Sequence, residues 1–284
     1  MLNMLSNEII KKIEDFVYSK PRSVDEVAKH INKNWRTADR YVSEIEKNFG
    51  TLSTRVFRGG TRGALKIVYW SSIEKVSSTI FQEKLEEGIL MAKKKEDFSS
   101  FNIFQHVKDR NKEAYIEKDV KQKERNLAQY AKLLSSAEKQ VIILSGNLSF
   151  INEKSKNFDM LAIFESLVKK KIPIKVLCRV DIIGKDNVEK LLYLNFKYGK
   201  EMVEIRHHEQ PLRGAIIDNK NIRLKEISPP SDKIHELKNE ANIVYFIKDK
   251  EWAEWLSHIF WKMFNSSIDA KVRLEQMQKL RNIK

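Results

Sequence analysis

The chain has 284 residues, of which 42% are hydrophobic, and its 53 Lys and Arg against 39 Asp and Glu give a formal net charge of +14. This length predicts two domains with a connector, and the apolar content excludes a disordered polypeptide. The basic balance favours a polyanionic partner such as nucleic acid, although a lysine-rich surface would give the same charge.

Cys178 is the only cysteine of the sequence. A single cysteine excludes a disulfide framework and a zinc site built from several thiolates, and we expect Cys178 to be a small buried residue. The first residues lack the basic start and apolar stretch of a signal peptide, and no window approaches the ~20 apolar residues of a membrane span. We therefore expect a cytoplasmic protein without a membrane partner.

Apolar residues at helical spacing predict three short helices at the start of the chain. The first begins near Ser6 and ends at Lys20-Pro21, because the residue before a proline is pushed out of helical geometry. Ser23-Val-Asp-Glu26 has the spacing of a capping box and predicts the start of the second helix. Asn32-Lys-Asn34 indicates a turn, and Phe49-Gly50 indicates a glycine cap at the end of the third helix. Two short helices across such a turn are typical of a helix-turn-helix unit.

The third helix carries polar and basic residues near its start, which is where a recognition helix contacts base edges in the major groove. Arg36 and Arg40 are the strongest candidates, because arginine binds guanine in bidentate fashion. Trp35 either contacts a DNA sugar or fills a small core, and the charged residues could equally be a solvated helix face. The candidates in this region are Lys33, Trp35, Arg36, Thr37, Arg40 and Ser43.

Residues 55–66 read as two strands joined by a glycine-rich tip, in which Gly59, Gly60 and Gly63 supply the positive backbone angles of a tight hairpin. A basic ribbon after a helix-turn-helix unit is typical of a winged helix, and its tip would contact phosphate or a minor groove. The candidates on this wing are Arg55, Arg58, Thr61, Arg62 and Lys66. We therefore predict that residues 1–70 bind double-stranded DNA, with RNA or protein as alternative partners.

Residues 71–118 are predicted to be a helical connector. Its apolar stripe at helical spacing indicates packing against another helix: Ile73, Val76, Ile80, Leu85 and Ile89. A homodimer is the expected use of this stripe, because proteins that read DNA commonly pair to match two half-sites. The alternative is that the stripe packs within its own chain.

Strand and helix patterns alternate over residues 119–284, which predicts an α/β domain with a mixed sheet and makes the whole chain a multi-domain α/β protein. The predicted strand Gln140–Leu144 is continuously apolar from Val141 onward, as in a strand covered on both faces. The sequence predicts that this strand ends in a turn at Ser145-Gly-Asn147.

Two short motifs and the terminal strand with its aromatic helix resemble the phospholipase D-like domain: Ile143-Leu-Ser-Gly-Asn147 and Leu212-Arg-Gly-Ala-Ile-Ile-Asp-Asn219. Together with the winged helix and connector, the chain resembles the TrmB-type archaeal transcription regulators. The resemblance implies a nucleoid-associated DNA-binding regulator whose C-terminal domain senses a small, sugar-like effector or serves oligomerisation. Some relatives instead coat DNA as abundant architectural proteins, which is the alternative function.

Active phospholipase D-like proteins carry His-x-Lys-x4-Asp, with histidine as the nucleophile. Placing the aspartate on Asp218 puts Pro211 at the histidine position and Arg213 at the lysine position. Proline cannot attack phosphorus, so we predict no enzyme activity, with a phospholipase D-type nuclease as a further alternative. His207 and His208 have the wrong register to substitute.

We expect no cofactor and no metal, because the two histidines lack a third ligand at useful spacing. The crevice at the strand ends remains a candidate ligand site, as in other open α/β sheets. Its candidate lining groups are Ser145, Asn147, Arg213 and Asp218. Arg213 and Asp218 could equally form a structural ion pair.

Overall fold

The computed structural model describes residues 5–48, 51–58, 64–70, 78–117, 119–228 and 240–281. The N-terminal elements are α1 (Asn7–Ser19), β1 (Arg22–Ser23), α2 (Val24–His30), α3 (Trp35–Asn48), β2 (Leu52–Arg58) and β3 (Ala64–Trp70). The connector contributes α4 (Ser78–Met91), α5 (Phe101–His106) and β4 (Lys112–Glu117). The remaining elements are α6 (Val120–Ser135), β5 (Val141–Leu144), α7 (Met160–Lys169), β6 (Ile174–Cys178), α8 (Lys185–Tyr198), β7 (Val203–His207), β8 (Gly214–Ile217), β9 (Asn221–Ser228), β10 (Ala241–Lys248), α9 (Lys250–Asn265), β11 (Ile268–Asp269) and α10 (Ala270–Arg281).

The first three helices begin where the sequence signals predict. Ser6 caps α1 by accepting from the backbone N–H of Ile9, and both hydrogen bonds of the capping box between Ser23 and Glu26 are present. These caps satisfy backbone donors that the first helical turn leaves unpaired. The predicted glycine cap at Phe49-Gly50 lies outside the described residues.

The helices pack with one face of the hairpin strands around a small apolar core. Ile13, Val42 and Leu52 are fully buried there, one each from α1, α3 and β2. Strands β1, β3 and β2 form an antiparallel sheet in that order. This is the arrangement of a winged helix-turn-helix, with α3 in the position of the recognition helix.

Within the described residues, eight strands form one mixed sheet in the order β11-β7-β6-β5-β8-β9-β10-β4. Strands β5, β6 and β7 are parallel neighbours, and the other pairs are antiparallel. The predicted mixed α/β sheet is therefore confirmed. It begins earlier than residue 119, because β4 pairs with β10 at the sheet edge.

Helices cover both faces of the sheet and give it two apolar cores. α6, α7, α8 and α10 pack on one face, and α4, α5 and α9 pack on the other. Cys178 is fully buried in β6, as expected, and burial raises the pKa of its thiol to about 12. Among the described residues, no helix combines the length and the apolar character that crossing a bilayer requires.

The connector stripe packs inside the chain where it is described. Leu85 and Ile89 on α4 are buried in the core that contains α9, and α4 contacts α9 directly. These two residues are therefore not available to a second chain, which corrects the expected use of this part of the stripe. Ile73 and Val76 lie outside the described residues, as does the side chain of Ile80.

The wing is the hairpin of β2 and β3, and we call the part of the chain from α4 onward the body. The face of the wing that points away from the N-terminal core is buried against this body. Phe57 on β2 and Leu65 on β3 belong to the same core as Phe101 and Tyr245. The ring centroid of Phe57 lies 6.0 Å from that of Phe101 and 6.5 Å from that of Tyr245. The winged helix is thus joined to the body by a continuous apolar core rather than by a solvated linker alone.

A half-buried carboxylate, that of Glu226, lies beneath this junction. Glu226 accepts hydrogen bonds from Ser99 Oγ at 2.8 Å, from the Phe101 backbone N–H at 3.3 Å and from the Tyr245 hydroxyl at 3.4 Å. Burial raises the pKa of Glu226, because the charged form loses water, while these donors oppose the rise. The network holds α5 and β10 in the positions that receive the wing.

We expect Phe57→Ala to lower the free energy of unfolding by about 3–5 kcal/mol, because it empties a site shared by the wing and the body. Urea denaturation followed by tryptophan fluorescence measures the loss. The control is Val56→Ala on the same strand, where the side chain is 45% exposed, and a loss below about 1 kcal/mol is expected. Equal losses in the two variants would show that the wing is not docked.

Candidate nucleic-acid interface and ligand cleft

Three polar side chains form an exposed row along α3. Arg36, Arg40 and Ser43 are all exposed and are spaced four and three residues apart, which places them on one helical face. Ala38 and Val42 on the opposite side are fully buried and fix that orientation. The row is therefore free to contact a surface laid along α3.

The turn before α3 is held by local hydrogen bonds. Asn34 Oδ1 accepts from the backbone N–H of Thr37 at 2.9 Å, and Asn32 adopts a positive φ of 54°. Lys33 is exposed in this turn, and Thr37 is half-buried. Trp35 packs against the N-terminal core with its Nε1 buried and without an acceptor among the described residues. Trp35 therefore packs on the core, but it also lines a surface depression beside Arg36 and Arg40, so a contact with a DNA sugar stays a prediction.

The arginines of this row are not neutralised. In the part of the chain that the structure describes, neither Arg36 nor Arg40 forms an ion pair with a carboxylate. The guanidinium carbon of Arg40 lies 5.2 Å from the ring centroid of Tyr41, a contact that leaves its hydrogen-bond donors available. An exposed pair of unpaired guanidiniums at the start of a helix is suited to base edges or phosphates.

Two predicted wing residues, Arg55 and Lys66, have partners within the protein. Arg55 Nη1 lies 3.8 Å from Asp109 Oδ1, and its guanidinium carbon lies 5.0 Å from the ring centroid of Phe104. Lys66 Nζ donates to Asp39 Oδ1 on α3 at 2.6 Å. Arg55 therefore contacts the body and Lys66 contacts α3, and a contact of either residue with DNA stays a prediction. Thr61 and Arg62, and the side chain of Arg58, lie outside the described part.

Three of the four predicted cleft residues come together at the carboxyl ends of the parallel strands. Ser145, Asn147 and Arg213 line a cleft of about 590 Å³ bounded by α6, the ends of β5 and β6, and the segment 93–96. Ser145 Oγ accepts from the backbone N–H of Leu148, which has a positive φ of 59°, so the loop after β5 is tightly closed. A glycine in this loop, Gly146, packs directly beneath the guanidinium of Arg213.

Asp218 lies at the opposite end of the sheet. Because β8 runs antiparallel to β5, Gly214 pairs with Leu144 and Ile217 pairs with Val141, so Arg213 and Asp218 mark opposite ends of one strand. The Asp218 carboxylate accepts from the backbone N–H groups of residues 138, 139 and 140 at 3.0, 2.8 and 2.9 Å. Asp218 is thus a structural cap of the turn before β5, and the expected ion pair with Arg213 does not form.

The residues near the degenerate motif have structural partners. Arg213 Nη1 donates to the carbonyl oxygens of Gln210 and Leu212 at 2.9 and 2.7 Å. His207 Nδ1 accepts from the backbone N–H of Val180 at 2.9 Å, and His208 Nδ1 lies 3.0 Å from Ser267 Oγ. Burial lowers the pKa of both histidines, which favours their neutral form. Of the two, only His208 lines the cleft.

The cleft contains cations that the sequence analysis did not include: Lys93, Lys94, Lys95, Arg179, Arg223 and Lys225. Arg223 and Lys225 are two residues apart on β9, and this spacing could have indicated that both side chains lie on the same face of the sheet. The segment 93–95 carries no periodic signal that would bring it to this site. Within the described residues, no group of three or more His, Cys, Asp or Glu is placed to hold a metal ion.

No family profile and no curated protein matches the sequence. Among solved structures, the phospholipase D family member Nuc from Salmonella typhimurium aligns with 56% of this chain and 97% of its own, at 13% identity and a TM-score of 0.39. NucT from Helicobacter pylori aligns with 56% of this chain and 99% of its own, at 14% identity and a TM-score of 0.40.

TrmBL2, described as an archaeal chromatin protein with a novel mode of DNA binding, aligns with 93% of this chain and 94% of its own. Its identity to this chain is 14% and the TM-score is 0.38. At this level of similarity the alignments establish no function for this chain.

We expect Asp218→Asn to lower the free energy of unfolding by about 1–3 kcal/mol, because hydrogen bonds from backbone N–H groups to a carboxylate are stronger than those to an amide. Thermal or urea denaturation measures the effect. Asp15→Asn on the exposed side of α1 is the control and should change stability by less than about 0.5 kcal/mol. An unchanged stability for Asp218→Asn would contradict the capping role.

Proposed function

We propose that this protein is a regulator that binds duplex DNA, with α3 in the major groove and the wing tip against the backbone. The observation that carries the proposal is the exposed row Arg36, Arg40 and Ser43, whose arginines have no carboxylate partner among the described residues. The net charge of +14 supports the same partner, since contacts to phosphates release condensed counterions.

The docked wing supports a fixed approach to DNA. Phe57 and Leu65 anchor the described strands of the hairpin to the body, which fixes those strands relative to it. The ion pair of Lys66 with Asp39 adds a link between the wing and α3. A preorganised surface loses less conformational entropy when it binds than a flexible one.

Two modes of DNA binding fit this surface, and we favour the sequence-selective one. Bidentate arginine contacts near a helix start supply base readout, whereas an architectural protein needs only backbone contacts.

A homodimer on two half-sites is part of the proposal, with an interface other than Leu85 and Ile89, which are buried within the chain. Selection from a random-sequence DNA library tests both points, because a specific dimer enriches a palindrome and an architectural protein enriches no motif.

On the selected duplex, Arg40→Ala should weaken binding by about 1–3 kcal/mol, roughly 5- to 150-fold, and relax sequence preference, because a base contact is lost. Fluorescence anisotropy at several salt concentrations measures both effects. Arg55→Ala should change affinity by less than about threefold, since its guanidinium faces Asp109 and Phe104. Arg125→Ala, exposed on α6, is the control for general charge. If Arg40 and Arg125 behave alike, α3 is not the recognition helix.

The C-terminal domain is proposed to be non-catalytic. Pro211 and Arg213 stand where an active phospholipase D-like protein has its histidine and lysine, and neither is a nucleophile at neutral pH. The nearby His207 uses Nδ1 as an acceptor for the Val180 backbone N–H. The histidine that lines the cleft, His208, has its Nδ1 3.0 Å from Ser267 Oγ, and we propose that the cleft binds without catalysing.

We expect the purified protein to leave supercoiled plasmid and single-stranded DNA intact in the presence of EDTA, because phospholipase D-type cleavage needs the missing nucleophile and no metal. Gel electrophoresis after extended incubation is the measurement, with a known metal-independent nuclease as the positive control. If the wild-type protein cleaves DNA and His208→Ala abolishes the cleavage, the protein is a nuclease and the proposal is wrong.

We also propose that the cleft is an effector site, in keeping with the expected small-molecule sensor. The segment 93–96 lines this cleft, and Lys20 Nζ at the end of α1 donates to the carbonyl oxygen of Glu96 at 3.2 Å. A second cavity between the winged helix and the body is lined by the same segment. Occupation of the cleft can therefore act on the N-terminal domain through a direct contact.

A further inference from the structure

The cleft has more cationic than anionic groups on its walls. Three consecutive lysines, 93–95, lie at one rim, and Arg179, Arg213, Arg223 and Lys225 lie further in, against the carboxylates of Glu96 and Glu209. Lys95 pairs with Glu96 at 3.7 Å, and Arg179 pairs with Asp181 at 2.6 Å. The remaining positive charge is not balanced by the acidic groups that line the cleft.

Arg223 is the most unusual of these groups. It is only 5% exposed, and its Nε is buried without a hydrogen-bond acceptor among the described residues. Its guanidinium carbon lies 4.3 Å from the ring centroid of Tyr130, which covers one face of the cation. A buried guanidinium with an unpaired donor is costly unless an anion completes its surroundings. Its burial also lowers the pKa of Arg223.

Glu117, the acidic side chain whose charge acts on Arg223, has other partners. Glu117 Oε1 accepts from Asn126 Nδ2 at 3.2 Å. Its other oxygen lies 3.4 Å from Lys225 Nζ, an ion-pair separation that lacks hydrogen-bond geometry. Glu117 influences Arg223 only through its charge. The protein therefore supplies no carboxylate hydrogen bond to Arg223 within the described residues.

Arg213 adds a second guanidinium of fixed orientation. Among the described residues, the side chain of Arg213 donates to the carbonyl oxygens of Gln210 and Leu212, in both cases from Nη1, and the guanidinium packs on Gly146. A Cβ at Gly146 would lie 3.1 Å from Arg213 Nε, so the absence of a side chain is what gives this arginine its place. The backbone N–H of Lys225 donates to the Arg213 carbonyl oxygen at 2.7 Å, which holds β9 and Arg213 together.

From this arrangement we infer that the cleft binds a small organic phosphate, with the phosphate group on Arg223 and its neighbouring cations and the organic part against Tyr130 and Phe150. The two aromatic rings lie 5.8 Å apart along the wall, and the cleft of about 590 Å³ is of the size that holds a small ligand. A phosphate dianion offsets more of the positive charge than a carboxylate and accepts from guanidinium in bidentate fashion.

The occupant is a small molecule rather than the backbone of DNA. Arg223 lies beneath Tyr130 with 5% of its surface exposed, and a duplex is too wide for its phosphates to reach that depth. A small organic phosphate would be the effector of the proposed function. Its binding in the cleft is tested independently of DNA binding by α3.

Isothermal titration calorimetry with matched ligand pairs tests the inference: glucose 6-phosphate against glucose, and AMP against adenosine. At least one phosphate should bind saturably, and its neutral partner should bind at least tenfold more weakly. Arg223→Gln should weaken phosphate binding at least tenfold, while Arg125→Gln on the outside of α6 should not change it. If Arg223→Gln does not fold, Arg213→Gln serves in the same comparison.

Three results would overturn the inference: equal binding of the neutral partners, no saturable binding of any phosphate, or phosphate binding that Arg223→Gln and Arg213→Gln leave unchanged. Competition of a short duplex for the same site, lost in the cleft variants, would show instead that the cleft belongs to the DNA interface. Measuring DNA binding of Arg40→Ala in parallel separates the two proposals. A variant that loses DNA binding but still binds phosphate tests the proposal on α3 alone. A variant that loses phosphate binding but still binds DNA tests the inference on the cleft alone.

Discussion

The apolar contact between the wing and the body is the constraint on which the remaining structure depends. Phe57 and Leu65 extend from the hairpin into the core that contains Phe101 and Tyr245, so two regions of different topology share one hydrophobic interior. Burial of this kind is cooperative and non-directional, and it fixes the position of the wing without a specific polar bond. It also brings Arg55 Nη1 of the wing to 3.8 Å from Asp109 Oδ1 of the body.

The protein holds positive charge in two physically different environments. On α3 the arginines are exposed, so their interactions with a polyanion act through water and weaken with salt. In the cleft, Arg223 is removed from water, and an interaction there is strong only if an anion meets it with good geometry. The first environment suits a long polyanion that is approached from solution. The second suits a small ligand that is enclosed.

These two environments are connected by a short path. The segment 93–96 forms part of the cleft wall, and the carbonyl oxygen of Glu96 accepts from Lys20 of the winged helix. The same region adjoins the half-buried Glu226 network beneath the wing. A ligand can shift DNA affinity only if it stabilises one arrangement of this junction more than another. The proposed regulation therefore depends on the junction as much as on either site.

The sequence by itself determined the local elements. Caps at Ser6 and Ser23, the period of α3 and the alternation of strands and helices depend on neighbours a few residues apart, so they can be inferred from the chain alone. Only the tertiary structure decided which charges are free. Lys66 meets Asp39, Asp218 meets the turn before β5, and the Nε of Arg223, beneath Tyr130, has no hydrogen-bond acceptor among the described residues. Those outcomes depend on residues distant in sequence, and no periodic pattern records which of them the fold brings together.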